Sequence, residues 1–263
     1  MKLNIGFVGM THLGLCSLAS ASFLGADVIG YDDDIQKIEK IRSNKDNIFE
    51  PNLEKILKKN SKRILFTKKF KDILNSDIVY LSEDIPTDHE GKSNTKSLEN
   101  YLKLLIKTLP KKTPIIILSQ VKPGFTREYY KSKNEIYYQV ETLVFGKAME
   151  RALKPERIII GVSNKNKTKI NKFYLNFLKL FKTEIIKMKF ESAELSKIAI
   201  NAFLISTVTT TNILSMISEK INADWNDIVP ALKKDRRIGE YAYLKPGLGI
   251  SGGNLERDRK SVV

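Results

Sequence analysis

The 263-residue chain has one cysteine (Cys16), one tryptophan and two histidines, and each shortage closes off some chemistry. A lone thiol can form neither an internal disulfide nor a cysteine metal cluster, which fits a reducing compartment. Cys16 lies in an apolar, small-residue stretch and reads as packing rather than as a nucleophile. No apolar run reaches the roughly 18 residues of a membrane span, and Met1-Lys2-Leu3-Asn4-Ile5-Gly6 enters a strand pattern without a signal-peptide layout. A cytoplasmic protein without a membrane partner is therefore expected. Arginine-rich or aromatic-interleaved tracts are missing too. The net charge of +15 comes mainly from scattered lysines, so nucleic acid is not an expected partner, although positive potential favours capture of phosphate-bearing small molecules. No internal repeat or low-complexity linker is visible. Asp88-His89-Glu90-Gly91 reads as a solvated turn, and no metal site is expected.

What is present is a chain long enough, at 42% hydrophobic residues, to bury one large or two modest cores. Ile5-Gly6-Phe7-Val8-Gly9 reads as a buried strand, followed by a turn at Met10-Thr11-His12-Leu13-Gly14 and a helix from Leu15 to Leu24. Ala26-Asp27-Val28-Ile29-Gly30-Tyr31-Asp32 is a second strand ending in an acid. This is the βαβ unit of a dinucleotide-binding fold. Gly9 makes the tight turn, Gly14 lets helix and strand approach, and Asp32 is placed for the adenosine ribose, where its charge would repel the 2′-phosphate of NADP. NAD is the expected cofactor, with Gly9, Thr11, His12, Leu13, Gly14 and Asp32 as candidate contacts. The middle glycine of G-x-G-x-x-G is Thr11, whose side chain must tilt away, bond a phosphate or weaken binding. His12 reads as a solvated turn histidine that offers its backbone rather than its ring.

Further strands are expected at Ile64-Leu65-Phe66-Thr67, Asp77-Ile78-Val79-Tyr80-Leu81-Ser82 and Ile115-Ile116-Ile117-Leu118-Ser119, the last a continuous apolar run suited to a parallel sheet covered on both faces. A long helix is expected from Ser192 through Lys220, with Lys197 and Asn201 four apart on one face. The fold class is α/β: a Rossmann-type doubly wound parallel sheet (residues 1–190) followed by a smaller all-helical domain (191–263).

The stretch Leu244-Lys245-Pro246-Gly247-Leu248-Gly249-Ile250-Ser251-Gly252-Gly253-Asn254-Leu255-Glu256-Arg257-Asp258 resembles the active-site loop of the UDP-glucose/GDP-mannose dehydrogenase family, roughly G-x-G-x-G-G-x-C-x-x-K-D. Phe49-Glu50-Pro51-Asn52-Leu53, Leu153-Lys154-Pro155-Glu156-Arg157-Ile158-Ile159-Ile160-Gly161, Glu194-Leu195-Ser196-Lys197 with Asn201-Ala202-Phe203-Leu204, and Asp235-Arg236-Arg237-Ile238-Gly239 are similar to other family segments. The resemblance spans essentially the whole chain and the first two of the family's three domains. The third, which binds the substrate's nucleotide, is then absent, or belongs to a longer product or another subunit. The resemblance implies an NAD-dependent oxidoreductase acting on a UDP- or GDP-sugar, assembled as a homodimer through the long helix.

It also implies roles. Lys197 would stabilise the reacting oxygen, Asn201 would hydrogen-bond it, and Asp258 would orient or relay a proton; Glu141 keeps the first glutamate of the family's N-P-E-F-L-R-E-G-S-A segment. Leu143, Arg237, Tyr243, Gly249 and Gly252 are the implied substrate contacts, and Pro86, which keeps the proline of the family's threonine-proline pair, and Gln120 are implied further cofactor contacts. Three positions depart from the pattern: Asn254 holds the nucleophilic cysteine's place, Phe145 the second glutamate's and Gln120 a threonine's, while Arg257 keeps only the charge of the usual lysine. An amide cannot form the thioester on which the family's aldehyde-to-acid step depends. The expectation is a single alcohol–aldehyde step, or a catalytically silent NAD-binding partner of an intact relative.

Overall fold

The computed structural model describes residues 3–43, 48–86, 88, 93–163 and 169–247. By internal contacts the chain divides into a unit of Met1–Ile85 with Asn94–Lys197 and a unit of Pro86–Ser93 with Ile198–Val263.

The first unit runs β1 (Asn4–Val8), α1 (His12–Phe23), β2 (Asp27–Tyr31), α2 (Ile35–Arg42), α3 (Leu53–Lys59), β3 (Ile64–Thr67), β4 (Ile78–Leu81), α4 (Lys96–Thr108), β5 (Ile115–Ile117), α5 (Phe125–Tyr129), β6 (Ile136–Val140), α6 (Ala148–Leu153), β7 (Arg157–Val162), α7 (Lys172–Lys179) and β8 (Glu184–Lys189). The eight strands form one sheet in the order β3-β2-β1-β4-β5-β6-β7-β8. The order reverses beside β1, the topological switch point at whose carboxyl ends such sheets bind ligands. Successive side chains of the central strands fill opposite faces. Ile5, Phe7, Ile78, Tyr80 and Ile116 pack with Leu15 and Leu18 of α1 and Tyr174 and Phe177 of α7. Val8, Val79, Leu81, Ile115 and Ile117 pack with Leu98, Leu102 and Leu105 of α4. Both faces are thus apolar, and each fully buried Ile, Leu or Val contributes about 1.5–3 kcal/mol.

The expected parallel sheet has one exception, the antiparallel β6–β7 pair, with Tyr138 opposite Gly161. A parallel neighbour would require the chain to cross back over the sheet after β6. Here it stays at the carboxyl edge, which leaves Glu141 to Gly146 beside the amino end of α1.

Helix α8 (Phe190–Lys220) starts in this unit, two residues before the expected Ser192, and continues into the second. By length and composition it is long and apolar enough to cross a membrane, although its apolar residues are interrupted by polar ones and form no continuous run. Its first turns are tied to the sheet unit. Glu194, fully buried, accepts hydrogen bonds from the Gly124 (2.6 Å) and Thr126 (2.8 Å) amides at the amino end of α5. Glu191 is held bidentately by Arg127, at 2.7 Å to Nε and 2.9 Å to Nη2. In the second unit, Trp225 of α9 (Trp225–Lys234) donates from Nε1 to the Leu244 carbonyl, and Thr211 of α8 donates to that of Tyr243.

The Arg127 guanidinium holds the Glu191 carboxyl down at about 2. Because that lies below the unfolded value of about 4.3, the pair's contribution is complete above the unfolded pKa and is lost as pH falls from about 5 towards 2. Glu191→Gln should lower the melting temperature near neutrality, by an amount equivalent to at most about 1 kcal/mol because the pair is part-exposed. The gap to wild type should close as the pH of the melts approaches 2; a gap that stays constant with pH would contradict the assignment.

Candidate functional site

The amino end of α1 is built by four residues. Gly9 turns the chain at φ +92°, and its amide donates to the Tyr31 carbonyl at 2.9 Å. A Cβ on Gly14 would lie 2.0 Å from the Gly9 carbonyl oxygen and 2.6 Å from Ser82 Oγ, so only glycine lets the helix sit this close. Ser82 Oγ donates to the carbonyls of Val8 (3.1 Å) and Gly9 (2.8 Å), tying β4 to the turn.

Thr11 takes the first of its three options. At φ −79° and ψ 176° it needs no glycine. Its hydroxyl caps the helix by accepting from the Gly14 amide (3.2 Å) and donates to the Ser82 carbonyl (2.8 Å). Turned inward and buried, it leaves the backbone of the turn for an anion.

Asp32 closes the other side at 4% exposure. Its Oδ2 accepts from the Met10 amide (2.9 Å) and Lys37 Nζ (2.7 Å), and its Oδ1 from the Asp34 amide (3.1 Å). The side chain is fixed before any ribose arrives. The turn, the close helix and the acid at the end of β2 fit a dinucleotide.

His12 is the first residue of α1 rather than a solvated turn residue, and its ring is engaged. Nε2 lies 2.8 Å from Glu50 Oε1, and the Phe145 ring stands over the imidazole with centroids 4.4 Å apart. Glu50, 5% exposed, also accepts from the Gly146 (2.8 Å) and Ala148 (3.1 Å) amides. Burial pushes its carboxyl up, but the Gly146 and Ala148 amides and His12 outweigh that and hold it lowered. One carboxylate therefore joins α1, the segment before α3 and the loop after β6. Glu50 stands in the Phe49-Glu50-Pro51-Asn52-Leu53 segment, and its partners 38 and 96 residues away carry no local signal.

Glu141 follows β6, and its carboxylate accepts from the Thr142 amide at 2.7 Å. Burial raises its pKa against the opposing charges of Lys197 and Arg151. It lines a cavity of about 50 Å³ with Tyr80, Gln139 and Arg151, room enough for water. Leu143 is half-buried against the core on the α1 side of the sheet, as is Leu13, and Gln120 is half-buried just beyond β5.

Gly9, Thr11, His12, Leu13, Gly14, Asp32, Gln120, Glu141, Leu143 and Lys197 thus all fall in the sheet unit. Pro86, Asn201, Arg237 and Tyr243 fall in the second. There Asn201 is buried, and Arg237 is paired with Asp235 through Nε (3.0 Å) and Nη2 (2.6 Å). Gly249, Gly252, Asn254, Arg257 and Asp258 lie outside the described residues, as do His89, Glu90 and Gly91 of the acidic turn. Among the described residues, no group of three or more His, Cys, Asp or Glu side chains is arranged to hold a metal.

A switch-point turn with a carboxylate at the end of β2, on a mainly parallel sheet, defines a dinucleotide-binding α/β protein. Residues 3–178 match the NAD binding domain of the UDP-glucose/GDP-mannose dehydrogenase family and residues 191–263 its central domain, so the chain belongs to that family and carries its NAD-binding domain. It is 28% identical over 99% of its length to the UDP-glucose 6-dehydrogenase YwqF of Bacillus subtilis, covering 61% of that protein. It is also 32% identical, over 97% of its length, to an uncharacterised protein of Methanocaldococcus jannaschii, of which it covers 30%. Among solved structures, a UDP-glucose dehydrogenase from Pyrobaculum islandicum matches 100% of the chain with a TM-score of 0.85 at 23% identity, over 63% of its own length. The GDP-mannose dehydrogenase of Pseudomonas aeruginosa matches 98% at a TM-score of 0.80 and 22% identity, again over 63%. The chain therefore spans less than two thirds of these proteins, and the structural likeness establishes the fold.

Cys16, buried in α1, is pushed up to about 12, first by burial and then by the charges of Glu50 and Glu141. A thiol so placed is almost entirely protonated at pH 8 and does not act as a nucleophile. Iodoacetamide at pH 8 should alkylate Cys16 at least about a hundredfold more slowly in the folded protein than in denaturant; equal rates would show a reactive thiol.

Proposed function

We propose that the chain is the catalytic core of an NAD-dependent oxidoreductase that oxidises a primary alcohol of a UDP- or GDP-sugar to the aldehyde and lacks the cysteine-dependent second step. The observation that carries this is the match to both the NAD-binding and the central domain of one family in a chain whose nucleophile position reads Asn254. NAD, when bound at the α1 turn, supplies the hydride acceptor. The chain's residues must then orient the alcohol, steady its oxygen as charge develops and take its proton.

Lys197 is assigned the electrostatic role, Asn201 the hydrogen bond to the oxygen and Asp258 the orienting or relay role. Glu141, raised by burial and facing the charge of Lys197, is suited to hold a proton near the same centre. Leu143, Arg237, Tyr243, Gly249 and Gly252 are assigned to the sugar nucleotide, and Pro86 and Gln120 join the turn residues on the cofactor. Residues 1–190 serve as the NAD-binding domain and 191–263 as the central helical domain. The proposed partner is a second copy of the chain, supported by the exposure of Phe203, Ile213 and Met216 on α8.

The acid-forming step has lost its parts. An amide at Asn254 can neither attack the aldehyde nor leave from an acyl intermediate. At the family's second glutamate, Phe145 places an apolar ring over His12 instead of a carboxylate that could order water. The same substitutions support a second reading, a silent NAD-binding partner of a complete relative.

NADH formation with a panel of UDP- and GDP-sugars, run with a carbonyl trap, tests the proposal. One NADH per sugar with trapped aldehyde is expected, and Asn254→Cys should extend the reaction towards acid. Two NADH and a carboxylate from the wild type would overturn the single-step reading. NAD binding with no turnover would favour the silent partner.

A further inference from the structure

Two acids, Glu83 and Asp84, follow β4 directly, and nothing above assigns them a role. Glu83 is half-buried at the junction of the sheet with the dinucleotide turn. A Cβ on Gly9 would lie 2.8 Å from Glu83 Oε2 and 3.0 Å from its backbone nitrogen, so the carboxylate rests on the residue at which the chain turns towards the ligand. It is anchored from two sides. The Glu83 carbonyl accepts from Ser119 Oγ (2.6 Å) beyond β5, and Oε1 accepts from Ser97 Oγ (3.0 Å) at the start of α4. Burial raises its pKa, with Asp32 and Asp84 adding to the rise and the Ser97 hydroxyl and Lys37 opposing it. Glu83 therefore feels Asp32 across the turn.

Asp32 has little capacity left. A carboxylate offers about four acceptor positions, and the Met10 amide, Lys37 Nζ and the Asp34 amide occupy three of them. An adenosine ribose presents two adjacent hydroxyl donors. One remaining position serves one of them.

We propose that Glu83 is a second ribose-binding carboxylate of the dinucleotide site, taking the hydroxyl that Asp32 has no place for and adding to the exclusion of a 2′-phosphate. The inference rests on NAD binding at the α1 turn and deepens it. Asp32 is held by its own neighbours and sets the position of the ribose; Glu83, anchored through Ser97 and Ser119, supplies the second acceptor. A 2′-phosphate would then meet two carboxylates rather than one.

Titrations of the full chain with NAD, NADP, AMP and 2′,3′-dideoxy-AMP, comparing wild type with Glu83→Gln, test it. Glu83→Gln should weaken NAD about tenfold, the loss expected for a hydrogen bond to a charged acceptor. It should also narrow the preference for NAD over NADP and shrink the gap between AMP and its dideoxy form. Ser97→Ala, which loosens the carboxylate without removing it, should cost NAD affinity less and leave the NADP preference intact; it carries the test if Glu83→Gln does not fold. Unchanged or tighter NAD binding in Glu83→Gln, or an undiminished AMP gap, would overturn the proposal and leave Glu83 as a charge that only repels phosphate. A wild type that binds neither NAD nor AMP would remove the dinucleotide reading itself, before any variant is compared.

Discussion

The close approach of α1 to the end of β1 is the constraint on which the rest of the sheet unit depends. Gly14 lies against the Gly9 carbonyl with no room for a side chain, and Ser82 bonds that same carbonyl from β4. Helix and two strands are thus pinned at one point, which fixes the amino end of α1 in the turn. That is the arrangement an anion needs at a helix start. Thr11 strengthens the joint by spending its hydroxyl inward. A bulkier residue at the usual middle glycine thus coexists with an open turn.

Carboxylates placed around this joint do two different jobs. Glu50 is structural: bonded to His12 and to two amides of the loop after β6, it fixes that loop beside α1 and gives Phe145 its seat. Asp32 and Glu83 stand at the Gly9 turn itself, where the ribose is proposed to bind. Their charge matters more locally than the overall +15 does. Scattered lysines draw phosphates from a distance, whereas the role proposed for the two acids is to select the ribose.

Much of the sheet unit was legible from sequence because its signals are local. Ile115–Ile117 reads as a two-faced strand, Gly9, Gly14 and Asp32 stand at fixed spacing, and the long run through Lys220 reads as a helix. The antiparallel β7 was not legible, since strand direction depends on where the intervening chain packs. Neither was the engagement of His12, whose partners Glu50 and Phe145 lie far along the sequence. Glu83 passed unnoticed because an acid after a strand ordinarily faces solvent; only its contact with Gly9 gives it meaning. Spacing puts Lys197 and Asn201 on one helical face, while their roles, like those of Asn254 and Asp258, are read from the family motif alone.

The central claim is that the chain binds NAD at the Gly9–Gly14 joint. Calorimetric titration of NAD into the wild type and Gly14→Ala, with circular dichroism to confirm that the variant stays folded, tests it most directly. The account predicts one NAD per chain for the wild type and no measurable binding for the folded variant, because a methyl group 2.0 Å from the Gly9 carbonyl must push the helix off the turn. Undiminished binding by folded Gly14→Ala would contradict it.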